Sequence, residues 1–102
     1  GVSITCAKEN GNPPAYNSNN KELRIYRYNS FTLSSSSTIT NIEITYSSAN
    51  NMGSDLSANS GSYTTNTNIG TWTGESSSIT FTNTGTTNIQ ARIKKIVVTC
   101  NN

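Results

Sequence analysis

Tyr26 and Tyr28 stand two residues apart in the run Glu-Leu-Arg-Ile-Tyr-Arg-Tyr-Asn at 22 to 29. On an extended strand, residues i and i+2 share a face and lie about 7 Å apart. With Leu23 and Ile25 turned toward a core, Arg24 and the two rings face solvent. Flat aromatic faces at that spacing, edged by guanidinium and amide donors, suit a sugar chain: the rings stack on C–H faces while the donors bond hydroxyls. Tyr16 and Asn17 precede them in an Asn-rich loop, Arg27 and Asn29 flank them, and Trp72 stands between Gly70 and Gly74 on a short predicted strand. The predicted carbohydrate-binding set is therefore Tyr16, Asn17, Arg24, Tyr26, Arg27, Tyr28, Asn29 and Trp72. Trp72 has a second reading as the largest filler of a small core, and solvent-side strand tyrosines also occur without any ligand. Tyr46 shares a face with Ile42 and Ile44 and is read as core.

The residues that would make such a face catalytic are scarce. The chain has no histidine, which excludes Ser-His and Cys-His nucleophile pairs. Its five acids, Glu9, Glu22, Glu43, Asp55 and Glu75, are scattered and read as ordinary surface carboxylates, with Glu43 on the solvent side of its strand. Paired carboxylates for glycoside cleavage would have to face one another across a cleft. No phosphate-binding glycine loop, EF-hand spacing or zinc pattern occurs. No cofactor is required, although loop oxygens near Asp55 or Glu75 leave room for a structural calcium.

Cys6 and Cys100 stand near the two ends. If the first and last strands pair, they form a disulfide that closes a loop of about 95 residues, worth roughly 4 to 5 kcal/mol in the chain-entropy picture. Two free thiols are the alternative. A disulfide places the protein outside the cytosol.

The elements that must position these side chains are strands. Ser, Thr and Asn occur sixteen times each in 102 residues, against three Leu and five Ala, while ten Ile fall in short alternating runs. That balance disfavours helix and suits pleated, half-buried surfaces. One domain, residues 1 to 102, is all that this length and its 31% apolar content will fill. A net charge of +2 is too small to argue for nucleic acid or an anionic membrane, and no apolar run approaches the roughly 20 residues that span a bilayer. The chain starts at Gly1 without a charged, apolar leader, as expected of a mature or excised secreted module.

Alternation predicts a strand at Val2, Ile4 and Cys6, a loop over 8 to 20, and two tightly joined strands in Glu-Leu-Arg-Ile-Tyr-Arg-Tyr-Asn-Ser-Phe-Thr-Leu with a turn near Asn29-Ser30. The Ser run at 34 to 37 reads as a surface turn. A strand follows with Ile42, Ile44 and Tyr46 inward, and Ile39 joins them if a bulge sits near Thr40-Asn41. Short strands are expected at Leu56 to Ala58, around Trp72, and at Ile79 and Phe81, with a turn in the Thr-Gly-Thr-Thr-Asn run at 84 to 88. The last strand aligns Ile89, Ala91 and Ile93, then shifts by one at Lys94-Lys95 to Ile96, Val98 and Cys100. About eight strands and essentially no helix make an all-β fold, a two-sheet antiparallel β-sandwich of jelly-roll type.

Pro-Pro-Ala-Tyr at 13 to 16, Glu-Leu-Arg-Ile-Tyr at 22 to 26, Asn29, Ile-Thr-Asn-Ile-Glu-Ile-Thr-Tyr-Ser-Ser at 39 to 48, Gly-Thr-Trp-Thr-Gly at 70 to 74, Ile-Thr-Phe-Thr at 79 to 82 and Ala-Arg-Ile-Lys-Lys-Ile-Val-Val-Thr at 91 to 99 together span nearly the whole chain. As a set they resemble small β-sandwich modules appended to secreted bacterial surface proteins and polysaccharidases. The resemblance implies a non-catalytic carbohydrate-binding module, secreted or at the cell surface, covalently linked to a glycoside hydrolase and monomeric. Open aromatic faces and low charge then favour cellulose-type or mixed-linkage β-glucan as ligand. A structural or adhesive spacer of a surface protein is the other expectation. Cys6 and Cys100 lie outside the resembling pattern.

Overall fold

The chain is described by a computed structural model over residues 2–7, 14–19, 21–52, 56–84 and 89–101. It forms eight strands and, among the described residues, no helix: β1 (Val2–Ala7), β2 (Ala15–Asn17), β3 (Glu22–Ile25), β4 (Ser30–Tyr46), β5 (Leu56–Ala58), β6 (Ser62–Asn66), β7 (Ile69–Asn83) and β8 (Ala91–Asn101). Every pairing is antiparallel, and all eight strands belong to one hydrogen-bonded sheet of order β2-β3-β8-β4-β7-β5. β1 joins β4, and β6 joins β7.

Two long strands organise this sheet. β4 and β7 run side by side, from Ser30 opposite Thr82 to Thr45 opposite Ile69. One edge of β4 carries β1 along its first half and β8 along its second. The outer edge of β7 carries β6 and β5 in the same way. Halfway along, register slips: Ser34 faces Ser78 and Ile39 faces Ser76, so β4 advances five residues where β7 advances two. Extra residues bend a strand and sharpen its twist, and here the irregularity falls in both long strands together. The sheet curls at that line.

The Ser run at 34 to 37 is therefore not a surface turn. Strand continues through it because cross-strand pairs flank it, Ser34 with Ser78 and Ser35 with Val2 on one side and Thr38 with Asn101 on the other, while between them Ser37 N donates to Ser35 Oγ at 3.1 Å. The strands expected around Trp72 and around Phe81 are likewise two halves of one 15-residue β7. Other readings hold. The bulge at Thr40-Asn41 exists, since Ile39 faces Cys100 while Asn41 faces Thr99, and it returns Ile39 to the interior. The shift at Lys94-Lys95 exists too, with Thr45 opposite Lys95 and Tyr46 opposite Ile93. Ile89, expected in line with Ala91, lies outside β8 and is exposed.

Inside the curl, Ile25, Phe31, Leu33, Ile39, Ile42, Ile44, Tyr46, Trp72, Ile79, Phe81, Ala91 and Ile93 form one buried cluster. Phe31 stacks on Phe81 with ring centroids 5.1 Å apart, and Tyr63 meets Phe81 edge-on at 5.4 Å. Trp72 is fully enclosed. Its Nε1 donates to the Ser60 carbonyl at 2.6 Å, and a Cβ at Gly61, where φ is +72°, or at Gly74 would strike its ring. The outer surface uses the Ser/Thr excess: Thr32 and Thr80, paired across β4 and β7, join hydroxyls at 2.7 Å.

Cys6 and Cys100 do not form the expected disulfide; both are free thiols. The first and last strands never pair. They lie end to end along one edge of β4, with Val2 opposite Ser35 and Asn101 opposite Thr38. Cys6 sits four residues, about 13 Å, further along β1, beyond the roughly 7 Å between Cα atoms that a disulfide spans. Burial pushes the Cys6 thiol up, while Cys100 Sγ lies 3.4 Å from Ser35 Oγ.

Candidate functional site

β2, β3 and the start of β8 form the end of the sheet that holds most of the predicted binding residues. Register assigns their faces, because residues directly opposite one another on antiparallel strands point the same way. Asn17 faces Glu22, Ala15 faces Arg24, and Arg24 faces Arg92, which puts Asn17, Glu22, Arg24 and Arg92 on the outer face. Tyr16 faces Leu23, and Leu23 faces the buried Ile93, so Tyr16 belongs to the inner face although it is 65% exposed at the sheet edge. It lies on β2, within the stretch expected to be loop.

Glu22 is the centre of the outer face. It is buried, its Oε2 lies 2.8 Å from Arg24 Nε and 3.5 Å from Arg92 Nε, and its Oε1 accepts from Ser47 Oγ at 2.8 Å. Arg92 Nε also donates to Gln90 Oε1 at 3.1 Å. Desolvation pushes the Glu22 carboxyl up, but hydrogen bonds from Arg24 and Ser47 and the charges of Arg24 and Arg92 outweigh it and hold the group below its ordinary value. Arg24 is in turn held protonated, first by its bond to Glu22 and then by Tyr26. The result is a pair of fixed guanidinium groups with a phenol beside them.

Six of the chain's seven cationic residues, Lys21, Arg24, Arg27, Arg92, Lys94 and Lys95, fall in or beside the paired strands β3 and β8. Glu22 is the acid placed among them. The small net charge of the whole chain thus conceals a basic end.

β3 stops at Ile25, so Tyr26 and Tyr28 do not continue along one strand face as predicted. A tight turn follows instead: Asn29 N donates to the Tyr26 carbonyl at 3.1 Å, and Tyr28 N donates to the Asn83 carbonyl at 2.7 Å. Tyr28, third in this turn, has φ +70°, a position that Gly or Asn normally fills. Its ring is exposed, with the Arg27 guanidinium carbon 4.5 Å from its centroid. Tyr26 is half-buried beside Arg24.

Two predicted ligand contacts are corrected. Asn29 is fully buried, and its carbonyl accepts from Asn83 N at 3.0 Å. Trp72 is fully buried in the core described above. A turn that tucks Asn29 under the sheet, and a strand that faces Trp72 inward, leave neither side chain reachable by a polymer. The eight predicted residues therefore divide: Asn17, Arg24 and Tyr26 share the outer face, Arg27 and Tyr28 cap its end, Tyr16 lies on the reverse, and Asn29 and Trp72 are interior.

Sequence reasoning missed Glu22, Arg92, Gln90 and Ser47 as members of this face. Glu22 and Arg24 had a legible signal, since i and i+2 on a strand share a face. Arg92 had none, because its approach depends on β3 pairing with β8. Among the described residues no three His, Cys, Asp or Glu side chains come together to hold a metal ion; Asp55, one of the two suggested calcium ligands, and Glu9 lie outside those residues. Most of the expected loop over 8 to 20 and of the turn at 84 to 88 lies outside them too. No protein-family model, curated protein or solved structure matches the chain.

Proposed function

We propose that this chain is a non-catalytic module that binds a polysaccharide along the outer face of β2, β3 and β8. Tyr28 is the observation that carries the reading. A non-glycine residue in the left-handed region costs on the order of 1 to 3 kcal/mol and persists where the surroundings over-determine it, often for function. Here the strain holds a partly exposed aromatic ring, stacked with Arg27, in the turn that follows β3, whose Arg24 is already fixed by Glu22. Tyr28 and Tyr26 would stack on sugar rings, and Arg24, Arg92 and Asn17 would bond hydroxyls.

Cellulose-type or mixed-linkage β-glucan is the first ligand class in this proposal. The cations of β3 and β8 add a second candidate, a uronate-bearing chain. The proposal extends to a secreted or surface location, an attached glycoside hydrolase, no cofactor, and a fold in which the two halves of the curl stack as the layers of a jelly-roll sandwich.

Affinity electrophoresis against neutral β-glucan, xylan and polygalacturonate tests it. Retardation by one of them, lost in the Tyr28→Ala and Arg24→Ala variants, is the expected result. Unchanged mobility on all three overturns it. The interior positions of Trp72 and Asn29 favour the rival reading, a structural or adhesive spacer, and that reading predicts no retardation with any glycan.

A further inference from the structure

We infer that the free edge of β1 is built to receive an extended strand from a partner polypeptide. β1 hydrogen-bonds β4 on one side; among the described residues nothing pairs with its other side. Ile4 lies opposite the buried Leu33 and shares its inward face, and Cys6 lies opposite the buried Phe31. Yet Val2 and Ile4, on that inward face, remain 48% and 45% exposed. Among the described residues, no strand covers these inward-pointing side chains.

The uncovered space is a groove of about 180 Å³ lined by Val2, Ser3, Ile4, Leu33, Ile96 and Val98. Ile96 and Val98 belong to the part of β8 beyond its pairing with β3, so among the described residues this stretch has a second unpaired edge. Tyr16 and Leu23 continue the same inner face across β3 and β2. One strand added to β1 would therefore satisfy a row of backbone groups and roof this apolar strip at once.

Backbone chemistry identifies the occupant. An unpaired strand edge presents alternating N–H and C=O groups, which a second extended backbone satisfies most fully. Natural sheets guard free edges with short strands, charge or proline. Two of the other edges follow that rule, since β2 and β5 are three residues each and β2 directly follows Pro14, while β6, five residues without charge or proline, carries Ser, Thr or Asn at four of them in place of an apolar row. β1, Val-Ser-Ile-Thr-Cys-Ala, is six residues without charge or proline, and Ile-Val-Val-Thr-Cys in β8 is equally unguarded. The matching partner is an extended, uncharged segment with apolar side chains at alternate positions, turned toward Ile96 and Val98. This site is separate from the proposed sugar face, so the two stand or fall independently.

Amide hydrogen exchange of the ¹⁵N-labelled chain tests it, with a capped seven-residue peptide alternating Thr with Val, Ile and Val as probe. A control peptide of the same composition has its apolar residues contiguous. At millimolar concentration the alternating peptide should slow exchange in Val2–Ala7 or Ile96–Cys100 at least tenfold and the control should not. Ile4→Lys, and the milder Val2→Lys should β1 detach in the first, should remove the protection. No protection, equal protection by the control, or protection confined to β2, β5 or β6 overturns the inference. So does a concentration-dependent dimer seen by sedimentation without peptide and lost in Ile4→Lys, which would make a second copy the occupant.

Discussion

The hydroxyls of Tyr46 and Tyr63 meet at 2.5 Å above the backbone of Gly70, where any Cβ would collide with the Tyr63 ring and oxygen. Tyr46 comes from β4 and Tyr63 from β6, so the bond links the two neighbours of β7 over its glycine. Burial pushes both phenols up, and for Tyr46 the proximity of Tyr63 adds to it. In the unfolded chain both titrate near pH 10.

Because the folded phenols hold their protons above that value, their contribution to stability is complete below about pH 10 and falls as pH rises beyond it. Urea unfolding between pH 8 and 11 should show this alkaline loss. Tyr63→Phe should flatten it and cost about 1 to 3 kcal/mol at neutral pH, by leaving the Tyr46 hydroxyl buried without its partner. An unchanged alkaline slope in Tyr63→Phe would remove the pair from the account.

Glu22 gives the opposite limb. Its folded carboxyl titrates below the ordinary value near 4.5, so the unfolded chain takes up the proton first as pH falls. Stability from Glu22 is present above about pH 4.5 and is lost as pH drops through the lower, folded value. Glu22→Gln should destabilise by about 1 to 3 kcal/mol at neutral pH, since hydrogen bonds to charged groups are worth that much, and should flatten the acid limb in unfolding curves from pH 3 to 7.

Tyr28→Gly separates stability from recognition. Glycine adopts φ +70° freely, and the relieved strain offsets its extra unfolded-state entropy. Thermal unfolding should therefore shift by no more than about 1 kcal/mol in either direction, while retardation on the glycan gel disappears. A loss of several kcal/mol would mean that the ring supports the fold rather than a ligand.

Two free thiols should be counted by Ellman titration of the unfolded chain without reductant. In the folded chain Cys6, although the more exposed residue, should react more slowly than a free thiol, because desolvation raises it and lowers its thiolate fraction. Unfolding curves with and without reductant should coincide. A reductant-sensitive midpoint would restore the disulfide that the strand order excludes.

The bulges at Thr40-Asn41 and Lys94-Lys95 were legible because alternation is a local property. When Ile39 falls out of phase with Ile42, only an extra residue returns it to the core, whatever strand lies alongside. The Ser run at 34 to 37 misled for the same reason inverted: turn composition is a local signal, but the pairing of Ser34 and Ser35 before it and of Thr38 and Ile39 after it carried the strand through. Tyr26 and Tyr28 had the right spacing for a shared face, yet a turn after Ile25 separated them.

Composition and periodicity thus determined an all-β chain of about eight strands, with Tyr46 and Ile39 inside and Glu43 outside, since burial along a strand follows from its own period of two. Which strands became neighbours was decided only by tertiary structure. That decision kept Cys6 from Cys100, enclosed Trp72 between Gly61 and Gly74, brought Arg92 to Glu22, and left one edge of β1 without a partner among the described residues. Hydrogen-bond registry between distant segments depends on how the whole sheet curls, and no run of residues carries that information by itself.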